Sequence, residues 1–77
     1  MMFTPGDIVE VQGTCWSFDK PPFQRNPTTV KLLPKGASAI FIEEAVSERT
    51  PPQRALRILH GGALMWVPRE MMVPYEG

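Results

Sequence analysis

Arg54-Ala55-Leu56-Arg57-Ile58-Leu59-His60-Gly61-Gly62-Ala63-Leu64-Met65-Trp66-Val67 decides how this chain folds. Two apolar runs flank a glycine pair. Both central positions of a two-residue type I′ turn need positive φ, which glycine adopts without a Cβ penalty. The stretch therefore reads as an antiparallel hairpin, residues 54–60 against 63–67. So short a turn also fixes the register. His60 is expected opposite Ala63, Leu59 opposite Leu64, Ile58 opposite Met65, Arg57 opposite Trp66 and Leu56 opposite Val67. Period-two alternation then gathers Leu56, Ile58, Met65 and Val67 on one wholly apolar face, the expected core. The other face carries Arg57, Leu59, Leu64 and Trp66.

Upstream of the hairpin, Ser38-Ala39-Ile40-Phe41-Ile42-Glu43-Glu44-Ala45-Val46 reads as a long strand. It follows a Pro34-Lys35-Gly36 turn and a shorter strand over 28–33. Pro5-Gly6 launches a first strand over 7–12, which Gly13 closes. Residues 47–53, with Pro51-Pro52 inside, form a loop. Pro68-Arg69-Glu70 interrupts the hairpin's second strand as a single 3-10 turn, and Met71-Met72-Val73 adds a short closing strand before Pro74. In the stretch 14–27, Lys20-Pro21-Pro22 and Asn26-Pro27 argue against regular strand pairing. Cys15, Trp16, Phe18 and Phe23 argue for an ordered loop that folds back over the sheet, because aromatic side chains left without a partner are costly.

The chain has 77 residues, enough for one domain spanning 1–77 and for a single core. Nine prolines and six glycines punctuate short apolar segments without forming a repeat. That pattern favours an all-β sandwich or barrel. One cysteine, Cys15, excludes an internal disulfide framework, and with a single histidine it excludes the usual closed zinc sites. The lone thiol fits a reducing cytoplasm. Eight basic and eight acidic residues give a net charge of zero. This argues against general nucleic-acid binding, whose affinity comes from basic side chains neutralising phosphates. The first residues lack the basic and apolar regions of a signal peptide, and no apolar run approaches the ~20 residues of a membrane span. The expected protein is cytoplasmic, with no membrane partner.

A hairpin face with two leucines and a tryptophan is unusual for a free-standing small barrel. If Ile40 and Ile42 point inward, Phe41 joins it. The patch is then Phe41, Leu59, Leu64 and Trp66, with Arg57 among them and placed to stack on Trp66. Aromatic residues around an arginine are the composition of an interaction hot spot. Such a patch serves another protein or a second copy of the chain, unless Trp16 or Phe23 from the long loop covers it. The groove between that loop and Pro68 is a second candidate.

Candidate chemistry is sparse. His60 sits beside the hairpin turn without convergent partners, and nothing in the sequence brings it to Cys15. Glu43 and Glu44 are neighbours on a strand, so they point to opposite faces and cannot act as a carboxylate pair. Lys20, Arg25, Lys31 and Lys35 give the long loop and the following turn a basic lean, beside Phe23. Gly61-Gly62 lacks the phosphate-cradling P-loop pattern. No catalytic residue, metal ligand or cofactor is expected.

Strand, long loop, turn, long strand, loop, hairpin, 3-10 turn, short strand: this order resembles the SH3-like β-barrel, in the small free-standing form known from bacteria and phages. Trp66-Val67-Pro68-Arg69-Glu70-Met71-Met72 is similar to the family's ending, where a bulky pair precedes a proline, a 3-10 turn and the final strand. The resemblance implies a five-stranded barrel with an ordered loop after strand 1. Pro68 matches a groove position of peptide-binding members. Glu70 and Met71, however, stand where an asparagine and a tyrosine belong, so polyproline recognition is not implied. The expected function is a non-catalytic protein–protein interaction module, with Phe41, Arg57, Leu59, Leu64, Trp66, Trp16, Phe23 and Pro68 as candidate partner-binding residues. The alternatives are a homo-oligomeric structural protein using the same face and a weak nucleic-acid-binding barrel.

Overall fold

Gly61 and Gly62 have φ of 57° and 80° in the computed structural model, which describes residues 2–76. The hairpin they close has the expected register at every one of the five pairs, from His60↔Ala63 to Leu56↔Val67. Leu56, Ile58, Met65 and Val67 are all buried. Around this hairpin the described residues form seven strands and no α-helix. In chain order they are β1 (Ile8–Val11), β2 (Cys15–Phe18), β3 (Thr29–Leu33), β4 (Ser38–Val46), β5 (Arg54–His60), β6 (Ala63–Pro68) and β7 (Met72–Pro74). All pair antiparallel in one sheet of order β3-β2-β6-β5-β4-β1-β7. Among the described residues no helix is long and apolar enough to cross a membrane.

The sheet is open, where a closed five-stranded barrel was expected. The reason lies in residues 14–27. Cys15–Phe18 is a strand, because the prolines that forbid pairing begin only at Pro21, and it pairs with β3 as an outboard hairpin. The joint to the rest of the sheet is one pair, Phe18↔Trp66. The connecting loop is nevertheless ordered. Asp19 closes its base, its backbone N–H donating to the Thr28 carbonyl at 3.0 Å and its Oδ1 accepting from the Thr28 N–H at 2.9 Å. Asn26 takes positive φ (55°), and the Gln24 N–H donates to Pro21.

The sheet coils strongly, since Leu33 from one edge strand and Met72 from the other belong to one core with Val9, Val11, Ala39, Phe41 and the hairpin residues. Pairing shifts at two places. On β4, Phe41 faces Ile58 while Glu43 faces Arg57, so Ile42 is an extra residue. On β3, Trp16↔Leu32 is followed by Phe18↔Thr29, so Val30 and Lys31 together oppose Ser17. Ser17 is fully buried, and its hydroxyl repairs that gap. It donates to the Lys31 carbonyl at 2.8 Å and accepts from the Lys31 N–H at 3.1 Å. Such bulges bend a strand and raise its twist.

Phe41 is 4 % exposed, which corrects its expected place on the outer face. Ile40-Phe41-Ile42 is apolar throughout, so it carries no alternation from which a phase can be read. Pairing sets the phase. The Phe41 N–H donates to the Asp7 carbonyl and the Phe41 carbonyl accepts from the Gly6 N–H, both at 2.8 Å. Phe3 tilts against the Phe41 ring at 5.8 Å, and the Arg69 guanidinium lies 4.6 Å over Phe3. The 3-10 turn also sits one residue later than expected, at Arg69–Met71, with Pro74 ending β7. Both sheet edges resist an added strand. The β3 edge has a bulge, Lys31 and flanking Pro27 and Pro34, and β7 has three residues ending in proline.

Phe41→Ala should cost about 3–5 kcal/mol, against less than about 1 kcal/mol for Leu64→Ala. Urea unfolding of the two variants checks which residue belongs to the core. Ser17→Ala should cost about 1–3 kcal/mol, because it orphans both Lys31 backbone groups, and the same titration reads it.

Candidate functional site

Backbone register assembles an apolar row across four strands on the outer side of the sheet. Ile8 on β1 pairs with Ile40 on β4, Ile40 with Leu59 on β5, and Leu59 with Leu64 on β6. Cross-strand partners share a face, so the four side chains lie side by side. Ile8 is 51 %, Ile40 40 % and Leu64 48 % exposed, with Leu59 half-buried between them. The neighbouring row runs Glu43, Arg57, Trp66, Phe18 in the same register sense. Arg57 points its guanidinium at Glu43 (3.1 Å), in place of the expected stacking on Trp66. Trp66 is half-buried beside Phe18. Trp16, on the same side of β2 as Phe18, is exposed and pairs with exposed Leu32. Five of the nine large hydrophobics exposed among the described residues therefore lie on this side: Ile8, Trp16, Leu32, Ile40 and Leu64.

The two expectations for the face, a free patch and a covered one, are thus divided along it. Trp66 has Phe18 as its cross-strand partner on β2, in place of Trp16 or Phe23. Leu59 and Leu64 stay in a row left open. Ile8 and Ile40 were missed by sequence reasoning, and both enter because Phe41 leaves. The signal for Ile40 is the hairpin itself: once Ile58 faces the core, the β4 residue opposite Leu59 must face outward.

The groove expected between the long loop and Pro68 exists, at the end of β5 and β6 away from the glycine turn. It encloses about 520 Å³. Pro22 and Phe23 line it from the loop, Pro52, Gln53 and Arg54 from the loop before β5, and Pro68, Arg69 and Glu70 from the 3-10 turn. Ser47 closes the β4–β5 loop, accepting the Gln53 N–H on its hydroxyl and donating its own N–H to the Gln53 carbonyl, both at 2.8 Å. Arg54 is paired with Glu44 at 3.2 Å.

Of the residues weighed for chemistry, Glu43, Glu44 and His60 are engaged in structure. Glu43 and Glu44 point to opposite faces, and each meets its own arginine. Such exposed pairs contribute only about 0–1 kcal/mol. The His60 Nδ1 donates to the Ser38 carbonyl at 2.9 Å and ties the hairpin end to β4. Cys15 lies two strands away on β2. No three His, Cys, Asp or Glu side chains among the described residues converge as a metal site requires.

Burial raises the Cys15 thiol pKa. Less thiolate is present in the folded chain at a given pH, and only the thiolate attacks an alkylating agent. The associated stability is complete below the ordinary thiol pKa and fades as pH rises through the higher folded value. Iodoacetamide at pH 8 should therefore label Cys15 more slowly in the native chain than in urea; equal rates would show a free thiol.

Comparison of the chain with protein-family models, with curated proteins and with solved structures finds no match.

Proposed function

We propose that this chain is a non-catalytic protein–protein interaction module whose docking surface is the outer side of the β1-β4-β5-β6 sheet. The observation that carries the reading is the in-register row Ile8–Ile40–Leu59–Leu64, open to solvent across four strands. Contiguous exposed apolar surface on a small domain marks an interaction site more often than scattered residues do. The row is flanked by a half-buried tryptophan and an arginine, residue types that dominate interface energetics. A row of branched aliphatics offers apolar contact area but no polar convergence. Its fitting partner is an apolar protein surface, and neither a small polar ligand nor a phosphate backbone suits it.

The proposal keeps the resemblance to SH3-like modules at the level of element order, with β2 and β3 as an outboard addition. It places the protein in a reducing cytoplasm, where Cys15 remains a thiol. The groove is a second reading within the same class. Three proline rings and Phe23 line it, apolar surface of the kind that takes a segment of a partner chain.

Leu64→Glu and Ile40→Glu put a charge into the row without removing a buried side chain. Immobilised wild-type chain should retain a partner protein, its own second copy included, that both variants lose while their circular dichroism is unchanged. A partner lost from Phe23→Ala and kept by the two row variants moves the site to the groove. Equal retention by all four proteins rejects the proposal.

A further inference from the structure

We infer that the β2–β6 part of the outer side, with the basic loop that leaves β2, binds single-stranded nucleic acid. The inference is independent of the aliphatic row. It starts from an aromatic track. Trp16 and Phe18 are two residues apart on β2 and share the outer side, and Phe18 pairs with Trp66 on β6. The first step along the track is about 6.6 Å and the second about 5 Å. Trp16 is 50 % exposed, and Phe18 and Trp66 are half-buried. Among the described residues no ring pair and no cation–π contact engages any of the three. Aromatic side chains set on a sheet surface are a platform on which two or three unpaired bases stack.

Charge complements the track. The chain is neutral, but its charge is segregated. Residues 14–37 carry four bases, Lys20, Arg25, Lys31 and Lys35, against one acid, Asp19. None of the four makes an ion pair among the described residues. Lys20 follows Phe18 by two residues, and Arg25 is exposed in the same loop. Lys31 reaches the glycine turn at the start of β6, its Nζ 3.9 Å from where a Cβ on Gly61 would lie. The acids around these three are accounted for. Asp19 accepts the Thr28 N–H, Glu43 is paired with Arg57, and Glu70 stands among Arg54 and Arg69 at the groove. Glu10 is on β1, four strands from β2, and offsets Lys35, whose turn is bonded to Val11. Lys20, Arg25 and Lys31 are thus left to meet phosphates.

The combination selects the ligand. An acidic peptide would use the charge and leave the rings idle. Rings half-buried in a sheet can be stacked upon but not inserted, which favours a base over a lipid bilayer. A duplex keeps its base faces stacked inside, so the strand must be single.

Fluorescence anisotropy of labelled oligouridine and oligothymidine of about 12 nucleotides, titrated with the full chain, tests this. Half-saturation is expected between about 1 and 100 μM at low salt. Three phosphate contacts to a single strand give a salt slope of about −2, so raising salt about tenfold should weaken binding roughly 100-fold. Lys20→Gln with Arg25→Gln should reduce that loss to about 5-fold. Trp16→Ala should weaken binding about 10-fold at low salt with circular dichroism unchanged, and Trp16→Phe should restore most of it. A preference for the uridine strand would assign RNA, through its 2′-hydroxyls, and equal binding assigns either strand. No binding of either oligonucleotide at low salt overturns the inference. So does affinity that Trp16→Ala leaves intact, a duplex bound as tightly as the single strand, or polyglutamate of equal charge bound as tightly as the oligonucleotides. Anionic phosphatidylglycerol vesicles retained in their place would overturn it in favour of a membrane surface.

Discussion

The two-residue Gly61–Gly62 turn is the constraint on which the other pairings depend. Positive φ at both positions forces His60 opposite Ala63. From that one pair the alternation of a pleated strand does the rest. Ile58 and Met65 face inward, so the β4 residue paired with Ile58 must also face inward, and that residue is Phe41. Phe41 then needs a cover on its remaining side, which the Pro5–Gly6 turn and Phe3 provide. A one-residue slip at the glycines would exchange the core face for the outer face along the whole hairpin.

Curvature comes from places where pairing is irregular. A flat seven-stranded sheet could not bring Leu33 and Met72 from its two edges into one core. The extra residue at Ile42 and the doubled position at Val30–Lys31 supply the bend. The second would leave Lys31 backbone groups without partners on β2, and the buried Ser17 hydroxyl meets both. A serine inside a sheet is there for hydrogen bonding rather than for packing. The same bulge, with Lys31, makes the β3 edge a poor template for another strand. The sheet's broad outer side is thus left as the surface most open to association.

That outer side is divided by chemistry. Arg57 is paired within the chain with Glu43, and Trp66 is half-buried opposite Phe18. Ile8, Ile40 and Leu64 have no such cover and stay open to solvent. Three of the residues weighed for reactivity make structural contacts: His60 ties the hairpin to β4, and the two glutamates pair with Arg57 and Arg54.

The sequence by itself determined the hairpin, its register, its core residues, the opposite directions of Glu43 and Glu44, and the 3-10 turn to within one residue. Each is a local consequence of turn chemistry or of period-two alternation, which needs no knowledge of distant residues. Tertiary structure alone decided the rest. Ile40-Phe41-Ile42 has no alternation to read, so only pairing with Asp7 and Ile58 turned Phe41 inward and Ile40 outward. Cys15–Phe18 became a strand because β3 returned beside it, an encounter that loop closure between residues 18 and 29 made possible. The row Ile8–Ile40–Leu59–Leu64 draws on four strands spread from residue 8 to residue 64. It exists only after the sheet forms, because its members are neighbours across hydrogen-bonded strands and not along the chain.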